Sequence, residues 1–379
     1  MKILLCTPEY PPHSSGIGNV VASIVDNMRS LGAQIEVLTQ RGEVNHRFLG
    51  GLPGALGLIP FWQSAILYSK RNFGRFDAVW FHSPLVVDLG SLLEVGNRVL
   101  LTFHTTYLGY FEAYSNCGPF HLVPYYRFVA YLEGRLLKAI SKEKRLDFRV
   151  SAVSHSVARE LVRNGFSRHV YEIPNGMNTM KEFNTNRRES RLIVSRLLRT
   201  DVGEDDIVAL SVGRIDHQKR PLLVAKMFKK LNTLDPRVKL IMLGEGPLSA
   251  RLRKEIADCR AISAPGYVSE RLLNGCLGGA NVFVSLSSYE GLPLSVLEAC
   301  ASELPLVLSD IGPHRQILDA GIGKGLLVDA LCPMLDVDKV LGFIQKTRIA
   351  DIPGFKVADY SKADFSWSSI CEKYGQLLF

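Results

Sequence analysis

The sequence predicts an α/β protein built from two doubly wound, parallel-sheet domains, and three observations carry that reading. At 379 residues the chain exceeds what one core usually holds. Short apolar runs recur, each followed by a loop containing Gly or Pro and then by a helical period, the rhythm of a parallel sheet with crossover helices. The rhythm restarts at Val208 after a polar, charged stretch. The expected layout is a first domain over 1–183, a linker and entry helix over 184–206, a second domain over 207–360 and a terminal helix over 361–379.

Composition narrows the class. Seven cysteines are scattered without ligand spacing, so they read as reduced, mostly buried thiols of a cytosolic protein, and no metal site is expected. The opening MKILLCTPEYPP has an apolar run cut off by Pro8, too short for a signal peptide or membrane span and better read as a first strand. The formal charge is +8, and Met1 to Lys181 holds 19 Lys and Arg against 13 Asp and Glu. A basic half favours an anionic partner such as phosphate or an acidic membrane face. No helix-turn-helix, RNP or zinc pattern supports nucleic acid.

In the first half, Lys2 to Thr7 reads as a strand, Pro8 to Gly18 as a Gly- and Pro-rich loop, and Asn19 to Leu31 as a helix with Val20, Ile24, Val25 and Met28 on one face. Gly16-Ile17-Gly18 lacks the third glycine of a dinucleotide fingerprint, and the next strand ends in Thr39-Gln40-Arg41 without an acid for a ribose diol. The two glycines either let backbone approach a phosphate or an acceptor, or make a tight turn. Gly50 to Trp62 has no period and reads as a packed loop, or as one that meets a membrane or an apolar acceptor. Strands over Phe76 to His82 and Val99 to His104 follow. His104, at a strand's carboxyl end, faces the ligand crevice of such a sheet, while His82 reads as structural. Tyr125 to Ile140 is a helix with a basic end, packed on the core or lying at a membrane surface. Ser154 or Ser156 caps the helix that runs to Asn164, and Asn175-Gly176 reads as a turn.

In the second half, Val208 to Val212 is a strand running into Gly213-Arg214-Ile215-Asp216-His217-Gln218-Lys219, with a helix from Pro221. Arg214 and Lys219 are five apart across this turn and can reach one anion, each charge-assisted bond being worth about 1.5 to 3 kcal/mol. Further strand ends at Gly244-Glu245-Gly246-Pro247 and at Ala264 to Val268 carry glycines that let backbone approach a flat ring. Val282 to Leu286 is a buried strand, Ser287 to Gly291 turns, and Pro293 suits the first position of a helix that starts near Leu292. Glu290 then sits at the strand's carboxyl end and Glu298 on the following helix, whose first N–H groups favour phosphate. Two such carboxylates suit the hydroxyls of a ribose and a sugar on either side of a diphosphate. Phe365 to Leu378 is an amphipathic helix with Trp367, Ile370, Tyr374 and Leu377 on one face, which needs a partner, the first domain being a candidate.

With these motifs in order, the chain resembles the retaining GT-B glycosyltransferases of family 4. The resemblance covers nearly the whole chain and is densest in SVGRIDHQKRPLL, MLGEGPL and SYEGLPLSVLEACASELPLVLSD. It implies two Rossmann-like domains facing across a cleft, with the terminal helix crossing back to the first. It also implies that Arg214 and Lys219 hold the donor diphosphate, with the Leu294 and Ser295 amides beside them. Glu298 would take the ribose and Glu290 with Gly291 the transferred sugar. Gly213 and Val268 would lie at the nucleotide, His104 by the sugar, and Gly16 with Gly18 near the diphosphate and acceptor. Three departures stand out: the family's adjacent glycine pair is split by Ile17, no acid follows His104, and Arg220 follows Lys219 where glycine is common.

The expected activity is transfer of a sugar from a nucleotide diphosphate sugar, a UDP- or GDP-sugar for example, to an acceptor hydroxyl with retention at the anomeric carbon. Neither cofactor nor metal is expected. The acceptor is a glycan, a lipid-linked molecule or a small molecule, and the location is cytoplasmic, with attachment at the inner face of an anionic membrane left open. A nucleotide-sugar 2-epimerase and a non-catalytic nucleotide-sugar-binding protein are the alternatives.

Overall fold

The computed structural model describes residues 1–11, 16–39, 44–45, 59–72, 74–83, 98–144, 147–177, 186–349 and 365–378. The chain divides into two compact units, the first comprising Met1–Ser115, Phe120–Gly176 and Asp364–Phe379, the second Asn116–Pro119 and Met177–Ala363.

The first unit is a wholly parallel sheet of β1 (Lys2–Cys6), β2 (Gln34–Thr39), β3 (Val44–Asn45), β4 (Ala78–His82), β5 (Arg98–Phe103), β6 (Asp147–Ala152) and β7 (Val170–Glu172). Its order is β3-β2-β1-β4-β5-β6-β7. Central strands such as β4 are buried along their whole length, the consequence of helices on both faces. These helices are α1 (Gly16–Ser30), α2 (Ile59–Arg71), α3 (Tyr107–Cys117), α4 (Val123–Lys142) and α5 (His155–Arg163). Helix α1 buries Val20, Ile24, Val25 and Met28, the face its period predicts. Ser154 caps α5 by accepting from the Val157 amide at 3.2 Å.

The second unit repeats the plan with β8 (Ile207–Val212), β9 (Val238–Leu243), β10 (Ile262–Gly266), β11 (Val282–Ser285), β12 (Leu306–Ser309) and β13 (Gly325–Val328), parallel throughout in the order β10-β9-β8-β11-β12-β13. The entry helix α6 (Arg187–Leu198) packs on α9 (Glu270–Gly279). Their close approach leaves no room beside Gly275, where a Cβ would stand 2.4 Å from Ile193 Cδ1. Helices α7 (Pro221–Leu234), α8 (Ser249–Glu255), α10 (Leu294–Ala301), α11 (Gly312–Asp319) and α12 (Val337–Ile349) complete the unit.

The last helix, α13 (Trp367–Leu378), belongs to the first unit and packs on α1 and β5. Trp367, Ile370, Tyr374 and Leu377 are all buried, as the sequence predicts. The Tyr374 ring packs against Trp80 with centroids 4.6 Å apart and planes tilted by 47°, and Arg98 and Arg149 donate to the carbonyls of Leu378 (2.7 Å) and Leu377 (2.6 Å) that end the helix.

Four local expectations are corrected. Gly16 to Gly18 form the first turn of α1 instead of ending the preceding loop, because nothing in G-I-G stops the helix from starting early. Ile59 to Trp62 are helical, with Phe61 and Trp62 buried, while the rest of the Gly50 to Trp62 segment lies outside the described residues. Asn175-Gly176 is not a turn, and Gly176 packs under Trp367, where a Cβ would stand 2.4 Å from indole Cδ2. Pro293 is the N-cap of α10, with extended ψ, and the helix starts at Leu294. Among the described residues no helix is long and apolar enough to cross a membrane.

Candidate active site

In the second sheet the strand order reverses between β8 and β11, and in such sheets ligands bind outside the carboxyl ends of the strands at that point. Glycine lets the loops there run against each other. Gly213, Gly244 and Gly266 end β8, β9 and β10, and a Cβ on Gly244 (φ +131°) would fall 1.9 Å from the Gly213 carbonyl oxygen. The Gly213 amide donates to Leu243 O at 3.0 Å and the Ile215 amide to Glu245 O at 3.0 Å, which zips the two loops together.

The loop after β8 then grips the loop after β11 through three consecutive residues. Buried Gln218 donates from Nε2 to Tyr289 O (2.8 Å) and accepts from the Ser288 amide on its own carbonyl (2.8 Å). Lys219 Nζ lies 2.5 Å from Glu290 Oε1, with 21% of the lysine side chain and 6% of the glutamate side chain exposed. Arg220 donates to the carbonyls of Leu286 and Ala330, both at 2.5 Å, and of Ser287 at 3.3 Å. Asp216 organises the start of the loop, taking the Lys219 amide on Oδ1 (3.1 Å) and the Arg214 guanidinium on Oδ2 (3.0 Å). Gly213, Arg214, Lys219, Ser285 and Ser287 line a small pocket here.

Beneath the loops, Ser309 Oγ donates to Ser287 O (2.6 Å), and fully buried His314 sets Nδ1 2.8 Å from Ser309 O. Burial pulls the His314 pKa down to about 4, so it adds no charge beside Glu290 at neutral pH. Helix α10 points its start at the same region. The Val296 and Leu297 amides close on Pro293 O at 3.2 Å, and those of Leu294 and Ser295 come before them at the positive end of the helix. Burial, with the nearby charge of Glu270, pushes Glu298 up to about 7. Hydrogen-bond donors brought by a ligand would favour its ionised form. Gly291 is buried next to Glu290, and Val268 is partly exposed between β10 and α9.

The first unit carries the other predicted residues. Gly16 is exposed and Gly18 buried in the first turn of α1. His104 follows β5, buried, with Nε2 2.9 Å from Nδ1 of His82 and the two rings stacked. Burial lowers His104 to about 4, and burial together with the neighbouring His104 lowers His82 well below its ordinary value. Two neutral imidazoles in contact share one proton between the facing nitrogens, one donating and one accepting. Nε2 of His82 has no hydrogen-bond partner among the described residues. A buried N–H is rarely left so, which favours His82 donating from Nδ1 and His104 carrying its own proton on Nδ1.

Sequence reasoning misses Gln218, His82 and His314, whose partners lie on other loops or strands, and Asp216, whose partners lie within its own loop. Only Asp216 leaves a local trace, as an acid three residues ahead of the amide it accepts. The chain's D-x-D triplet, Asp336-Val337-Asp338, stands at the start of α12, where Asp336 accepts the Asp329 amide at 2.7 Å.

The fold and this loop cluster define the class: two Rossmann-like parallel-sheet domains of the GT-B type. Two family models match, Glycosyltransferase Family 4 over residues 14–181 and Glycosyl transferases group 1 over residues 199–337. The chain belongs to that family of glycosyltransferases. It is 36% identical over 120 residues to the O-antigen biosynthesis glycosyltransferase WbnH of Escherichia coli, a match covering 32% of each chain. Over 346 residues, 86% of this chain and 83% of the relative, it is 23% identical to the alpha-monoglucosyldiacylglycerol synthase of Acholeplasma laidlawii. Its matches thus span about a third of the length of the first curated relatives. Among solved structures it is similar in fold to sucrose-phosphate synthase from Thermosynechococcus elongatus (TM-score 0.74, 18% identity, 99% and 98% of the two chains). HepE of Anabaena in complex with UDP-glucose matches at TM-score 0.65, with 14% identity over 100% and 99% of the chains.

The histidine pair yields a measurable expectation. In ¹⁵N spectra, both rings should remain neutral from pH 8 down to about pH 5, with His104 protonated on Nδ1. An imidazolium signal from either ring at pH 6 would contradict the assignment.

Proposed function

We propose that the chain is a metal-independent, retaining hexosyltransferase that moves a sugar from a nucleotide diphosphate sugar to an acceptor hydroxyl. The observation that carries this reading is the Lys219–Glu290 ion pair at the strand-order reversal, with Arg214 in the same loop and the start of α10 behind it. The pair offers a cation for a diphosphate and a carboxylate for sugar hydroxyls. The UDP-glucose held by HepE, a protein of the same fold, supports a nucleotide-sugar donor.

In this reading Arg214, Lys219 and the amides of Leu294 and Ser295 take the diphosphate, and Glu298 takes the ribose hydroxyls. Gly213 and Val268 border the nucleotide, while Glu290 and Gly291 meet the transferred sugar. In the first unit, neutral His104 offers one N–H to a hydroxyl, and Gly16 and Gly18 let an anion approach the start of α1. Cleavage of the bond between the anomeric carbon and the phosphate oxygen leaves its electron pair on the diphosphate. Fixed cations and amides therefore stabilise the transition state more than the ground state. The acceptor oxygen attacks from the face the diphosphate leaves, and its proton passes to the leaving phosphate oxygen. Retention then needs no carboxylate nucleophile.

A lipid-linked acceptor at an anionic bilayer fits α4. Its outward face carries Phe128 and Tyr131, with Phe120 just before the helix, among exposed Arg127, Arg135, Lys138 and Lys142, and no exposed acid lies on that helix. Aromatic rings and cations on one face match an anionic interface. The diacylglycerol-related name of the Acholeplasma relative points the same way.

Two outcomes test this reading. Arg214→Ala and Lys219→Ala should each lower turnover about 100-fold or more, while EDTA leaves the wild type unchanged. Turnover near the wild-type rate in both variants contradicts the assignment. Vesicles rich in phosphatidylglycerol should sediment the protein and pure phosphatidylcholine vesicles should not. The double variant Tyr131→Ala, Arg135→Glu should lose about tenfold in binding, and equal binding to both vesicle types contradicts the membrane role.

A further inference from the structure

Arg220 is one of the three positions at which the sequence departs from the family pattern it resembles, glycine being common after the lysine. The backbone keeps the conformation that glycine supplies freely: Arg220 has φ +49° and ψ +50°, left-handed values that an arginine seldom takes. Its side chain accounts for the exchange. Nε donates to Leu286 O, Nη2 to Ser287 O and Nη1 to Ala330 O. The first two carbonyls lie at the end of β11, immediately before the Ser288–Gly291 loop that carries Glu290. The third begins the turn after β13, which Asp329 closes by accepting the amides of Leu331 (2.8 Å) and Cys332 (2.6 Å). A planar guanidinium fixes the angles between its donors, so three carbonyls bound to it are fixed relative to one another.

We propose that Arg220 is a positioning residue that locks the Leu286–Gly291 loop and the Ala330–Cys332 turn into one register, and thereby sets where Glu290 presents its carboxylate to the donor sugar. It acts through backbone carbonyls and touches no reacting atom. Lys219 and Gln218 bind the far end of the same loop, at Glu290 and Tyr289, while Arg220 holds its near end. The loop is thus fixed at both ends by three consecutive residues of one strand-to-helix turn. The sugar-facing part of the proposal rests on the donor-site reading above, whereas the clamp itself does not.

The test uses Arg220→Gly, which supplies the residue the backbone favours, and Arg220→Lys, which keeps the charge and loses the fork. Amide hydrogen exchange without any ligand should rise about tenfold in peptides covering Leu286–Gly291 and Asp329–Cys332, and stay unchanged in β8. Unchanged exchange in both segments overturns the clamp, whatever the donor proves to be. Calorimetry then compares a nucleoside diphosphate with its sugar conjugate. The ratio of the two affinities should shift against the conjugate by about tenfold in both variants, with the nucleotide alone bound nearly as in the wild type. An equal loss for both ligands overturns the positioning role. A wild type that binds neither ligand refutes the donor-site reading, and hydrogen exchange still decides the clamp. Should Arg220→Gly fail to fold, Arg220→Lys carries both measurements.

Discussion

The ion pair between Lys219 and Glu290 joins two loops that are 71 residues apart in sequence and adjacent in space because the strand order reverses between β8 and β11. A nearly buried carboxylate loses its hydration and needs a cation and fixed dipoles in return. The surrounding structure supplies both. Asp216 holds the lysine's backbone, Gln218 and Arg220 hold the glutamate's loop, and neutral His314 lies beneath without adding charge. Gly244 lets the loops after β8 and β9 meet at backbone distance. The pair therefore depends on the whole second sheet being in register, and the arrangement of the site depends on the pair.

The same physics operates differently in the first unit. There a strand-end histidine is kept neutral by burial and oriented by a second histidine one strand away. The pair offers hydrogen bonds instead of charge.

Much of this architecture is legible in the sequence, because buried strands and amphipathic helices write their periods into the chain. The faces of α1 and α13 are read directly, and the cap of α5 is narrowed to Ser154 or Ser156, of which the fold uses Ser154. Glu290 and Glu298 fall where strand, turn and helix place them, and Arg214 and Lys219 share one loop. What fails to read is whatever depends on a distant partner. Asn175-Gly176 has the composition of a turn, yet the indole of Trp367 packs against Gly176 and no turn forms. His82 has the pattern of an ordinary core position until β5 brings His104 beside it. Arg220 stands in the sequence as a surplus cation, and only the fold shows the three carbonyls it binds.

The most direct measurement is calorimetric titration of the metal-free protein with UDP, GDP and ADP and their sugar conjugates, at pH 8 and pH 6. One nucleotide should bind with micromolar affinity, and Glu298→Ala should abolish it. With Glu298 near pKa 7 in the free protein, a ligand that prefers its ionised form should bind more weakly at pH 6 by about tenfold. The conjugates make the pH comparison, because their diphosphate charge is constant over that range. Absence of binding across the panel by folded protein, or binding indifferent to Glu298→Ala, would contradict the donor site described for the second unit.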